Sequence, residues 1–207
     1  MKRISLIVLF GLYFAILLVS CENVNPNEEI DEGQVEGKVY TSQDIGWTMQ
    51  IPGGWEVMTM ESMDNMTEKG NEVIEEVFGD IDYSGLKHLI SFQKDQFNIF
   101  QSTSEPFELE YEGEWEDNNI LLREVLYTTY TNQGIQVDTS SSLMTVDGLV
   151  FHGFHVTVYA PSGEAILFQD MYGRYINGFD FGVNLNYNNE ADKATLMSVW
   201  RNSKFKK

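Results

Sequence analysis

The side chains that could carry chemistry are few, and the three histidines are the most versatile of them. Histidine often serves as a general acid, a general base or a metal ligand near neutral pH. His152 and His155 lie three residues apart on a predicted strand, so their side chains should point to opposite faces and cannot easily share one site. For both, and for His88, a hydrogen-bonded structural role is more common than metal ligation together with an acid from a neighbouring strand.

A second candidate is the run from Asp80 to Gly85. It places oxygen-bearing side chains at alternate positions, Asp80, Asp82 and Ser84, with glycine at the sixth position. This spacing resembles the first half of an EF-hand calcium loop. The second half does not match, because Ser91 occupies the position of the bidentate glutamate and a strand is predicted where the exit helix should follow. A polar turn between a helix and a strand is therefore the preferred interpretation over a calcium site.

Other catalytic patterns are missing from the sequence. It contains no nucleophile elbow, phosphate-binding glycine loop, zinc-protease helix or paired-cysteine metal motif. The sequence therefore predicts no catalytic residue, no metal ligand and no cofactor. An enzyme would need a site assembled from scattered carboxylates and histidines.

The N-terminus has the pattern of an export signal. Lys2 and Arg3 precede an apolar run from Ile4 to Val19, as in the charged and apolar regions of a secretory signal peptide. The run of sixteen residues is shorter than the roughly 20 that span a bilayer as a helix. A retained signal anchor is therefore the second choice.

The residues at the end of this run, Leu18–Cys21, resemble the lipobox of bacterial lipoproteins. A thiol can be alkylated to a thioether by a lipid donor, and the small Ser20 before it suits the peptidase that cuts there. Cys21 is the only cysteine, so no disulfide can form within the chain. The resemblance implies that residues 1–20 are removed and that lipid on Cys21 anchors the protein to a membrane. The predicted location is the extracytoplasmic side of a bacterial cell envelope, the outer membrane and cell surface included.

Residues 21–38 are predicted to be the lipidated cysteine and a flexible tether. Six acidic residues and no basic ones lie between Glu22 and Gly37, a composition that buries too little apolar surface to fold. This acidic stretch after the cysteine also resembles the surface-export signals of some Bacteroidetes lipoproteins. Without Lys2 and Arg3 the chain has eleven basic and thirty-two acidic residues, a net charge of about −21. Such a charge repels phosphate backbones, so nucleic acid is not an expected partner.

The remaining residues, 39–207, are predicted to form one α+β domain. The turn pairs Asp147–Gly148 and Asn177–Gly178 predict hairpins of an antiparallel sheet, and the helices must cover its apolar surface. The second helix of the domain is expected to bury a face of Leu121, Leu122, Val125, Leu126 and Tyr130. Three helices are expected, over Met60–Phe78 with a break near Gly70, from Asp117 or Asn118 to just before Gly134, and from Asn188 or Asn189 to about Arg201.

Both faces of the predicted strand Leu149–Ala160 are rich in aromatic residues. This pattern favours a strand that is covered on both sides. If either face were uncovered, its aromatic residues would become a ligand or partner patch.

A family resemblance covers roughly residues 39–207. The run from Gly46 to Trp55, GWTMQIPGGW, looks like the start of PsbP-like domains, named for an extrinsic subunit of photosystem II. The end is also similar, with Asn186–Asn188, a helix containing Trp200, and Ser203–Phe205. The resemblance implies an antiparallel sheet between helices that serves as an accessory or binding module. The acidic region of Met60–Phe78 and the anchor at Cys21 depart from the photosynthetic member, so no photosystem role is inferred.

Together these features predict a membrane-anchored lipoprotein whose domain binds a protein or small molecule in the envelope. An extracytoplasmic enzyme or metal-binding protein and a structural envelope protein are the alternatives. A pocket where His88, His152 or His155 meets two carboxylates would favour chemistry. A flat aromatic patch would favour binding or scaffolding.

Overall fold

The structure is a computed structural model that describes residues 24–78 and 84–206. The predictions for the signal peptide, for Cys21 and for Asp80 and Asp82 concern residues outside this range. Within it lie three α-helices, α1 (Met60–Phe78), α2 (Glu114–Asn132) and α3 (Glu190–Arg201). Among the described residues, no helix is both long enough and apolar enough to cross a membrane.

The described strands form two antiparallel sheets, and the strands are numbered in chain order. The small sheet has the order β1-β2-β3-β12 and consists of β1 (Gln34–Glu36), β2 (Val39–Thr41), β3 (Trp47–Gln50) and β12 (Lys204–Phe205). The large sheet contains β4 (Glu56–Val57), β5 (Lys87–His88), β6 (Phe92–Gln93), β7 (Ile99–Pro106), β8 (Val137–Val146), β9 (Leu149–Tyr159), β10 (Ala165–Ile176) and β11 (Phe179–Tyr187). Its order is β4-β6-β7-β11-β10-β9-β8, with β5 also paired to β7. The α+β class and the antiparallel meander are confirmed, but the second sheet was not expected.

Two hairpin turns set the register of the large sheet. Asp147 and Gly148 have φ angles of 50° and 86°, and Asn177 and Gly178 have 54° and 86°. Positive φ at both central residues is the mark of the type I′ turn, which matches the twist of the flanking strands. The predicted hairpins β8–β9 and β10–β11 are therefore confirmed.

The main core lies between one face of the large sheet, the small sheet and α3. Trp200 of α3 packs against Phe151 of β9 with 4.9 Å between ring centroids, and Trp47 of β3 packs against Phe181 of β11 at 5.1 Å. All four side chains are fully buried. This aromatic cluster joins both sheets and α3 into one domain.

Strand β9 is buried on both sides, as its composition predicts. Phe151 belongs to the main core, whereas Phe154 and Val156 form a second cluster with Leu126 and Tyr130 of α2. Phe151 is therefore core and not part of an open partner patch, whereas His155 on the same face is partly exposed.

The segment before residue 39 differs from the predicted tether. Residues 34–36 form β1, in which Val35 is buried. The acidic side chains serve as local acceptors, since the Glu32 carboxylate accepts hydrogen bonds from Gln43 and Asp44 backbone N–H groups and Asp31 accepts one from His88 N–H. Ordered structure thus begins before Val39. Composition alone missed these pairings because each joins residues distant in sequence.

Two details of the helices also differ from the prediction. Gly70 does not interrupt α1, which continues to Phe78. Helix α2 begins at Glu114, after Gly113 with φ of 94°, and Leu121 and Leu122 are 57% and 49% exposed. Leu126 and Tyr130 pack against the sheet as predicted, but the prediction of burial for Leu121 and Leu122 is wrong. The difference arises because α2 turns polar side chains toward the sheet.

Candidate functional site

A cleft of about 400 Å³ lies between the large sheet and helices α1 and α2. One row of its floor crosses five neighbouring strands in the order His88, Thr103, Gly182, Gly173 and His152. Because the two neighbouring glycines of this row have no side chain beyond hydrogen, the floor is lowest at Gly182 and Gly173, and the two histidines lie at the ends of the row.

The hairpin turn places the two glycines side by side. Gly173 lies four residues before the Asn177–Gly178 turn and Gly182 lies four residues after it, so they pair directly. A Cβ atom on Gly173 would lie 3.4 Å from Trp115 and Asn119, whereas one on Gly182 would have no neighbour closer than 4.0 Å. Helix α2 therefore closes over Gly173 and leaves Gly182 open to the cleft.

The roof of the cleft is a mixed polar and apolar stripe of α2. At intervals of three or four residues, the side chains that contact the sheet are Trp115, Asn119, Arg123, Leu126 and Tyr130. Ile120 and Leu121 point away and are more than half exposed. The helix thus turns a partly polar stripe inward, which an apolar periodicity cannot reveal.

Arg123 is held at the sheet by several contacts. Its Nη2 donates to Asn119 Oδ1 at 2.6 Å, its Nη1 donates to Ser141 Oγ at 3.0 Å, and its guanidinium lies 5.7 Å from the Phe154 ring centroid. Burial lowers the pKa of Arg123, but arginine remains a cation in proteins. Within the described part of the chain, its buried Nε has no hydrogen-bond partner, and neither does Asn184 Oδ1 on the cleft floor.

An acidic group lies near the N-terminal end of α2. Asp180 Oδ1 accepts a hydrogen bond from Trp115 Nε1 at 2.8 Å. Burial raises the pKa of Asp180, and the Trp115 hydrogen bond opposes this effect only in part. Glu105 also lines the cleft, so the site carries acidic and basic groups.

Two of the three histidines reach the cleft. His88 Nε2 lies 3.6 Å from Asp64 Oδ1, and the His152 ring packs edge-on against Trp115 with 5.3 Å between centroids. Both histidines line the cleft together with Asp180 and Glu105. This is the combination of a histidine and two carboxylates that favours chemistry, so the enzyme alternative stands beside binding for this cleft. Residues 24–78 and 84–206 contain no group of three or more His, Cys, Asp or Glu side chains that could hold a metal ion.

The third histidine lies on the opposite face, as its spacing from His152 predicts. His155 Nδ1 lies 2.7 Å from Asp170 Oδ1, and its Nε2 lies 2.7 Å from Ser142 Oγ. The hydrogen-bonded role expected for this histidine is present. Ser142 was not predicted from the sequence, although the Asp147–Gly148 turn sets the register that brings it close to His155.

A second, more open recess of about 700 Å³ lies between the Pro52–Gly53 turn and α3. Among the described residues that line it, only Lys38 is ionisable. The cleft over Gly173 and Gly182 brings together more polar groups in a smaller space, which makes it the stronger candidate.

Comparison with known proteins shows similarity in structure only. No protein-family model and no curated protein matches the sequence. Among the solved structures that match is the solution structure of cyanobacterial PsbP (CyanoP) from Synechocystis sp. PCC 6803. That match has a TM-score of 0.54 and 12% sequence identity, and it covers 92% of this chain and 99% of that chain. At this identity it shows a fold and not an activity, and the fold is PsbP-like, as the opening and closing motifs of the domain predict.

Proposed function

We propose that this protein is a lipid-anchored binding module on the extracytoplasmic side of a bacterial membrane. The charged start, the apolar run and the lipobox-like Leu18–Cys21 support the anchor. A PsbP-like fold supports an accessory-type domain. The anchor holds the domain at the membrane, and the cleft binds the ligand.

The domain is further proposed to be a sandwich with helices on both faces of the large sheet. Trp200 of α3 packs on the face that carries Phe151, and Leu126 of α2 packs on the face that carries Phe154. Side chains at odd spacing along a strand point to opposite faces, so the two helices meet different sides of β9.

The observation that carries the binding proposal is the polar interior of the cleft. A helix that only covered a sheet would turn Ile120 and Leu121 inward. Here α2 exposes them and turns Asn119 and Arg123 toward the glycine floor. Positions where local preference and tertiary structure disagree are often functional ones.

The same groups indicate the chemistry of the ligand. Arg123 has a planar set of donors that suits a carboxylate, and its buried Nε lacks a partner among the described residues. Asn184 Oδ1 offers an acceptor that has no partner among the described residues, and the Asp180 carboxylate, which already accepts from Trp115 Nε1, adds a negative charge to the cleft lining. A volume of about 400 Å³ suits a small ligand. The preferred ligand is a small polar molecule with a carboxylate and at least one hydrogen-bond donor.

Native mass spectrometry of protein gently extracted from its own membrane tests this proposal. The wild type is expected to carry a small-molecule adduct. Gly182→Val should remove it, because the new side chain enters the open part of the cleft. Arg123→Gln should weaken it, since the carboxylate loses its cationic partner.

Gly53→Ala is the matched control. It adds a methyl group beside the second recess, where the nearest atom is Lys38 Nζ at 3.6 Å, and should leave the adduct unchanged. A wild-type spectrum without any adduct contradicts the proposal. An adduct that survives Gly182→Val would place binding outside the cleft.

A further inference from the structure

Three side chains from neighbouring strands form a hydrogen-bonded row on the sheet face opposite the cleft. Ser142 is on β8, His155 on β9 and Asp170 on β10. The Ser142 Oγ to His155 Nε2 distance and the His155 Nδ1 to Asp170 Oδ1 distance are both 2.7 Å. A hydroxyl beside an imidazole that a carboxylate orients is the arrangement of an activated nucleophile.

The carboxylate at the end of the row is fixed in place. Asp170 is 8% exposed, and its Oδ2 accepts a hydrogen bond from the Tyr187 hydroxyl at 3.0 Å. Burial, reinforced by the charge of Asp170, raises the pKa of Tyr187, so this hydroxyl stays a donor. A carboxylate only accepts hydrogen bonds. Asp170 Oδ1 therefore fixes the proton of His155 on Nδ1 and leaves Nε2 free to accept from Ser142.

Exposure increases along the row toward the serine. The His155 side chain is 26% exposed, and Ser142 is exposed on β8. No described strand pairs with β8 on its outer side, so some of its backbone N–H groups face outward and can donate to a docked carbonyl. The reacting atoms are therefore open to a substrate at the sheet edge.

A glycine creates the space in which the serine reaches the histidine. Ser142 lies five residues before the Asp147–Gly148 turn and Gly153 lies five residues after it, so they pair directly. A Cβ atom on Gly153 would overlap Ser142 Oγ and lie 3.2 Å from His155 Nε2. The Ser142–His155 contact thus depends on glycine at position 153.

We propose that Ser142 is the nucleophile of a second site, which hydrolyses small carboxylic esters at the edge of the large sheet. Ser142 Oγ attacks the carbonyl carbon while its proton passes to His155 Nε2. The ester C–O bond breaks, and His155 gives that proton to the leaving alkoxide, which leaves as the alcohol. Water then attacks the acyl-serine with His155 as base, and the acid is released as Ser142 regains its proton. Asp170 is a positioning residue that holds the imidazole.

The test uses the full-length chain, extracted in detergent, and a fluorophosphonate probe. The probe forms an oxygen–phosphorus bond to an activated serine and releases fluoride. One label per chain is expected, on the peptide that contains Ser142. Ser142→Ala should abolish labelling, and His155→Gln should slow it by about 100-fold because the general base is lost. Hydrolysis of 4-nitrophenyl acetate should fall in parallel.

Three further variants separate activation from folding. Ser140→Ala removes a serine hydroxyl from the same strand and should label at the wild-type rate. Gly153→Ala should slow labelling although Ser142 is still present. Asp170→Asn should remove the low-field proton NMR signal of the His155 Nδ1–H as well as slow labelling. Wild-type labelling no faster than that of Ser142→Ala, or a label on any other residue, overturns the proposal.

Discussion

Trp200 offers the most direct test of how α3 holds the two sheets together. Its side chain is fully buried and lies 4.9 Å from the Phe151 ring. Four more rings lie within 6.4 Å of it, between centroids, those of Trp47, Tyr172, Phe181 and Phe205. Replacement of Trp200 by alanine would remove contacts with the large sheet and the small sheet at once.

The expected cost follows from this environment. Deletion of a buried tryptophan side chain typically costs about 3–5 kcal/mol. Because the rings around Trp200 belong to β3, β9, β10, β11 and β12, the space cannot collapse without movement of both sheets. We expect Trp200→Ala to lower the free energy of unfolding by about 4 kcal/mol. That is a large part of the roughly 5–15 kcal/mol that holds a domain together.

Trp200→Phe provides a control for the ring itself. Within the described part of the chain, the buried Nε1–H of Trp200 has no hydrogen-bond partner, and such a group costs about 1–3 kcal/mol. Phenylalanine removes this polar group but also some buried area. The two effects largely offset each other, so we expect a net loss of about 1 kcal/mol or less.

Urea unfolding followed by circular dichroism gives these free energies. The dependence on urea concentration should keep its slope, so that the change in midpoint reports stability. A loss below about 1 kcal/mol for Trp200→Ala would refute the view that α3 is fastened to both sheets by this ring. A Trp200→Phe variant as unstable as Trp200→Ala would refute the argument about the unpaired N–H.

Three further predictions concern stability and pH. Asp180→Asn should stabilise the domain by about 1 kcal/mol at pH 7, because burial raises the pKa of Asp180 and disfavours the carboxylate in the folded state. When stability is measured by urea unfolding, this gain in stability should vanish at low pH, where Asp180 of the wild type is protonated in both the folded and the unfolded state. Asn189→Ala should cost about 1 kcal/mol by thermal unfolding, since Asn189 Oδ1 caps α3 at Asp192 N–H at 3.0 Å. Hydrogen bonds from Phe97 N–H and then from Asn98 lower the pKa of Asp95 in the folded state. The stabilisation that they give is therefore present above about pH 4, the pKa of Asp in the unfolded chain, and is lost as the pH falls through the lower pKa of the folded state. An Asp95→Asn variant should lack this part of the acid unfolding curve.

Local chemistry predicted the parts of the fold that depend on a few adjacent residues. Asp147–Gly148 and Asn177–Gly178 specify type I′ turns because both positions need positive φ. The cap of α3 at Asn189 follows from its side-chain acceptor. These features were predictable since no distant residue is needed to form them.

The features that depend on distant partners could not be predicted from periodicity. Val35 and Glu32 belong to a segment that looks disordered by composition, yet Val35 is buried and the Glu32 carboxylate accepts backbone hydrogen bonds from residues eleven and twelve positions later. The inward stripe of α2 likewise depends on what the sheet offers to Asn119 and Arg123.

Both candidate sites depend on local turns as well as on residues that are distant in sequence. The predicted turns at Asp147–Gly148 and Asn177–Gly178 set the register of their hairpins. Counting outward from each turn pairs Ser142 with Gly153 and Gly173 with Gly182. Periodicity alone did not draw attention to these residues, since glycine and serine carry no apolar signal. Register read outward from a strong hairpin turn would have found them.

The proposed role depends first on the thioether at Cys21, and one measurement tests that attachment directly. Protein extracted from membranes is digested, and the N-terminal peptide is analysed by mass spectrometry. We expect the mature chain to begin at Cys21 and to carry the added mass of a diacylglyceryl group. A mature chain that begins at another residue, or an unmodified Cys21 thiol, would contradict the proposed anchor.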